Sequence, residues 1–116
     1  YDEKGTGMHT ISIHDKYFEA LKTFGDADEL VNIAVQKFLV EQMVERIHTL
    51  REQVRAWEEA FGEPFDSFLK RTETDEKFAR KLDKTHPMWE GELINWKFYH
   101  EELQEWLKKL QHTLTI

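Results

Sequence analysis

The chain has 116 residues, a formal net charge of −7, four tryptophans, eight phenylalanines and no cysteine. That is enough apolar material for one modest domain, and the missing thiol excludes disulfides and thiolate metal sites. The acidic balance makes the chain a poor non-specific ligand for a phosphate backbone, and no apolar run approaches the roughly 20 residues of a membrane span, so the sequence reads as a cytoplasmic protein with protein partners.

Residues 1–7, YDEKGTG, are polar and read as a flexible tail. Met8 to His14 then alternate, with Ile11 and Ile13 on one side and Thr10, Ser12 and His14 on the other. Period two with β-branched residues predicts a half-buried strand. A lone strand leaves its backbone groups unpaired, so the expected partner is the same strand of another copy. From Asp15 to Phe24, Tyr17, Phe18, Leu21 and Phe24 fall at helical spacing and predict a short amphipathic helix, stopped at Gly25. Asp26, with Glu29 three residues on, predicts a capping-box start for the next helix.

No helix breaker occurs between Ala27 and Phe61. This predicts one helix about 50 Å long at ~1.5 Å per residue. Its first half offers Leu30, Val31, Ala34, Val35, Phe38 and Leu39. Its second half offers Met43, Ile47, Leu50, Val54, Trp57 and Phe61, a heptad seam that needs a partner within the chain or across a dimer. Gly62 and Pro64 end it. Residues 64–84 read as one or two short helices with Phe65, Phe68, Leu69, Phe78 and Leu82 on the apolar side. After the break at Thr85–Pro87, a last helix is expected from Met88 to Leu114. Leu93, Trp96, His100, Leu103, Leu107, Leu110 and Leu114 form its seam, and Tyr99 and Trp106 widen it.

Chemistry is sparse. Glu45 and His48 make one Glu-x-x-His spacing, without the second copy and extra carboxylates a di-metal bundle needs, and read as a solvated helix face. Phosphate loops, His-Glu-x-x-His and nucleophile elbows are missing. The expectation is a non-enzyme with no metal, no cofactor and no catalytic residue. His100 reads as a packed histidine on the seam. Lys77, Arg80, Lys81 and Lys84, with Lys70 and Arg71, form the one locally basic region, either a solvated face paired to acids or a docking patch. Trp89, Trp96, Tyr99 and Trp106 are either the core of an intrachain hairpin or a partner-binding face.

The order of strand, short helix, glycine turn and second helix resembles the ribbon-helix-helix superfamily of small DNA-binding repressors and antitoxins. The residues that carry the resemblance are TISI, DKYFEALKTFG and DELVNIAVQKFL, with Glu29, Leu30, Val31, Ala34, Val35, Phe38 and Leu39 at the family's positions. The resemblance implies a mainly α fold: an N-terminal ribbon-helix-helix over residues 8–45, whose one short strand pairs across a dimer, then a long helix and a C-terminal helical hairpin. It implies a dimer core of Ile11, Ile13, Leu21, Leu30, Val31, Ala34, Val35 and Phe38. It also implies DNA contact by Thr10, Ser12 and His14. The ribbon offers hydroxyls and a histidine where the family often has Arg or Lys, and Asp15 stands where proline is frequent. Residues 8–40 hold three lysines against five carboxylates, a weak surface for DNA.

FGEPFDSFLKR and MWEGELINWKFYHEELQEWLKKL are similar to the tails of certain prokaryotic antitoxins, through Phe61-Gly62, Pro64-Phe65, Phe68 and Trp89-Glu90. This similarity implies a type II antitoxin. Its homodimer would form through residues 8–45, and residues 46–116 would cover a cognate protein toxin with Trp89, Trp96, Tyr99 and Trp106. Operator DNA would be a further partner, through autoregulation. The alternatives are a ribbon-helix-helix transcriptional regulator and a dimeric helical scaffold that binds no DNA.

Overall fold

The computed structural model describes residues 7–115, and five helices occupy them. They are α1 (Asp15–Lys22), α2 (Ala27–Phe61), α3 (Phe65–Thr74), α4 (Glu76–Thr85) and α5 (Trp89–Leu114). The mainly helical class matches the sequence reading. The N-terminal ribbon does not: no strand occurs among the described residues, and residues 7–14 take no regular structure. Ile11 is 64% exposed and Ile13 37% exposed, so the alternation buries neither. A strand's N–H and C=O groups need a neighbouring strand, and the rest of the described chain is committed to helices. The fold is therefore not a ribbon-helix-helix.

Helix ends follow local chemistry. The Asp26 carboxylate accepts the Glu29 N–H at 2.9 Å, which satisfies one of the orphan donors of α2 as the capping reading expects. Gly62 ends α2 in the left-handed region, φ 75°, and donates its N–H to the Glu58 carbonyl at 2.8 Å. Asp75 alone separates α3 from α4. Its N–H donates to the Arg71 carbonyl at 3.0 Å, and its carboxylate accepts the Phe78 N–H at 3.1 Å.

The chain divides inside α2 into two compact units, one ending at Lys37 and one starting at Phe38. Among the described residues of the first unit only Ala27 is buried. Leu21, Leu30 and Val31 are half-buried, and Tyr17, Phe18, Phe24, Ile33 and Val35 are exposed. An eight-residue helix has little stability of its own, so α1 depends on what its apolar face meets.

The second unit has a sealed core. Ile47, Leu50, Val54 and Trp57 of α2 pack with Phe65 and Phe68 of α3, Leu82 of α4, and Trp89, Trp96 and Leu103 of α5. The seam on α2 thus finds its partner within the chain. The pairing with α5 is antiparallel. Trp57 meets Trp96 and Tyr99, and nearer the other end the Thr113 hydroxyl donates to Met43 Sδ at 3.7 Å. Trp96 is completely buried, with its ring centroid 5.8 Å from Phe61, 5.4 Å from Phe65 and 5.4 Å from Phe68. Burial of one such large side chain contributes about 1.5–3 kcal/mol, and the stacked contacts with Trp57 and Phe61 and the edge-to-face contact with Phe65 add to that.

Candidate functional site

The residues expected to act divide between surface and interior. Thr10, Ser12 and His14 are exposed in the irregular segment, and no ribbon presents them to a groove. Of the expected dimer core, Ile11, Ile13, Ala34, Val35 and Phe38 are exposed and Leu21, Leu30 and Val31 half-buried. They form no core within the chain. Phe38 is 61% exposed and Phe24 82% exposed, high values for aromatic side chains.

The four aromatic residues of α5 expected to meet a partner face inward. Trp96 and Trp89 are buried, and Tyr99 and Trp106 are half-buried against the core. The Trp89 indole N–H donates to the Asp83 carboxylate at 2.8 Å, which ties the start of α5 to α4. The Trp96 Nε1 is buried without a hydrogen-bond partner. His100 stacks on Phe65, ring centroids 4.7 Å apart, with its Nε2 3.8 Å from an Asp66 carboxylate oxygen. That is the packed histidine the seam position predicts.

Ile94 and Phe98 are outward apolar residues of α5, 70% and 58% exposed. They stand four residues apart and belong to neither seam. That i, i+4 pairing off the seam was the available signal.

Around the basic region, the Arg71 guanidinium is 3.0 Å from Glu63 and lies over the Phe78 ring at 3.8 Å. Glu63 also accepts the Ser67 hydroxyl at 2.8 Å. Arg80 is 3.0 Å from Glu76 in an exposed pair. Lys77, Lys81 and Lys84 are exposed and belong to no ion pair among the described residues.

An open hollow of about 420 Å³ is lined by Phe18, Lys22, Gly25, Asp26, Ala27 and Asp28. Its Asp26 carboxylate is engaged in the helix cap, and Lys22 lies 3.8 Å from Glu19. The hollow brings no nucleophile against a base. Among the described residues no group of three or more His, Asp or Glu side chains could hold a metal ion, and no helix is long and apolar enough to cross a membrane. No protein family model, curated protein or solved structure matches the chain.

Proposed function

We propose that this chain is a stoichiometric binding protein, the antitoxin of a toxin–antitoxin pair, which self-associates through its N-terminal helical segment and neutralises a protein toxin with its C-terminal helices. The observation that supports this reading is the set of large apolar side chains left in solvent by α1, the turn after it and the start of α2: Tyr17, Phe18, Phe24 and Ile33. Exposed apolar surface of this kind marks association sites. The acidic chain suits a basic partner, because opposite potentials speed encounter and reject like-charged proteins. Operator binding through Thr10, Ser12 and His14 drops out of the proposal with the ribbon.

The test is co-expression of the full chain with the product of the adjacent gene, followed by pull-down and growth rescue. The expected result is a complex of fixed stoichiometry and restored growth. Failure of both overturns the antitoxin reading. Replacing Tyr17, Phe18 and Phe24 together by serine is expected to lower the mass of the free chain in light scattering. An unchanged mass removes the N-terminal face from the proposal. A dimeric scaffold shares the N-terminal observation, and it is the reading that stands if the chain dimerises and captures no toxin.

A further inference from the structure

In the second unit α4 carries a stripe of lysines and α5 a set of glutamates, with the exposed Lys97 standing among the latter, four residues before Glu101. On α4, Lys77, Lys81 and Lys84 recur at spacings of four and three, all exposed and in no ion pair among the described residues. Their neighbours Arg71 and Arg80 are each satisfied by a carboxylate at 3.0 Å. On α5, Glu90, Glu101 and Glu102 are in no ion pair among the described residues, whereas Glu105 lies 3.5 Å from Lys108. Glu90 stands four residues before Ile94, and Glu101 and Glu102 stand three and four after Phe98. At those spacings the carboxylates bracket the exposed Ile94–Phe98 pair on one helix face.

We propose that a second copy of this chain docks here, with α4 of one copy lying along the outer face of α5 of the other. The three lysines meet the bracketing glutamates, and Ile94 and Phe98 are covered between them. Both halves of the complementarity are carried by the same chain, and no ion pair among the described residues engages the three lysines or the three glutamates. The lengths agree. Lys77 to Lys84 covers about 10 Å of helix, and Glu90 to Glu101 about 16 Å, at ~1.5 Å per residue, a difference that flexible lysine side chains span.

Lysine stems are apolar and can cover Ile94 and Phe98 while their ammonium groups reach the carboxylates or the face of the Phe98 ring. The chain already uses this contact internally: Lys109 Nζ lies 4.5 Å from the Trp106 ring centroid. A two-fold axis makes the contact twice, once from each α4. The proposal does not depend on the antitoxin reading.

Sedimentation velocity on the full chain tests it. The expected result is an association step that is present at about 50 mM salt and lost by about 500 mM, because the Debye length shrinks across that range. Reversing the lysines (Lys77→Glu, Lys81→Glu, Lys84→Glu) weakens the step by about tenfold or more, and so does reversing the glutamates (Glu90→Lys, Glu101→Lys, Glu102→Lys). A one-to-one mixture of the two variants recovers it to within about threefold. Phe98→Ser, which leaves every charge in place, also weakens it. Five of the six reversals are at exposed positions and Glu102 is half-buried, and circular dichroism checks that the variants remain helical. A salt-resistant association belongs to the N-terminal face, and a salt-sensitive step that survives both reversals overturns this one. So does a mixture that stays apart, or a wild-type chain with no salt-sensitive step.

Discussion

The two units are built from the same material to different ends. Both are helical, and both carry aromatic residues at helical spacing. The residues from Phe38 onward place Trp57, Phe68, Trp96 and Leu103 in one closed core, whereas the described residues up to Lys37 bury only Ala27. Helical periodicity states that a face is apolar. It does not state what covers that face. In the second unit the cover comes from helices of the same chain. In the first unit Tyr17, Phe18, Phe24 and Ile33 stay exposed, and these apolar residues carry the N-terminal association proposal.

The contrast can be broken most directly at its two extremes. Trp96→Ala is expected to cost about 3–5 kcal/mol in chemical denaturation, the range for emptying a large aromatic site. Phe24→Ala in the free chain at low concentration is expected to move stability by no more than about 0.5 kcal/mol. Equal losses at the two positions would abolish the distinction between the units.

Gly62→Ala comes next. A Cβ at this position meets nothing within 4 Å, so the cost is the left-handed backbone alone, about 1–2 kcal/mol in the denaturation midpoint. A smaller effect sharpens the comparison. Asp75→Ala and Asp26→Ala each remove a cap bond worth about 1 kcal/mol. The first is expected to lower global stability, because α4 supplies Leu82 to the core. The second is expected to show mainly as faster hydrogen exchange at residues 27–30. Smallest is Arg80→Ala, which breaks an exposed pair and is expected to change stability by at most about 0.5 kcal/mol.

How far the sequence led differs residue by residue. Asp26, Gly62 and the seam from Ile47 to Trp57 were legible because each acts through local geometry: a cap, a left-handed stop and a helical stripe. The alternation at Met8–His14 was not decisive, since a strand exists only with a neighbour to pair with, and period two in a short segment does not supply one. The outward and inward faces of α5 were hard to tell apart for another reason. Trp96 and Phe98 are both aromatic and two residues apart, and only the position of Phe61, Phe65 and Phe68 around Trp96 decides which of them is enclosed. On α5 Ile94 and Phe98 thus stand outward, with Trp89 and Trp96 turned inward.

Asp75 leaves one more consequence. It is the whole of the connection between α3 and α4, receiving the end of one helix and starting the next. The heading of α4 is thus set by the two torsion angles of a single amino acid, φ −122° and ψ 96°. A connection this short has no slack. One inserted residue would turn α4 by about 100° relative to its present face, since ~3.6 residues make a turn. Leu82 would swing away from its packing partners and the lysine stripe would point in a new direction. Changes in chain length are tolerable at many surface turns, but at this joint they would act on the interior and the exterior together.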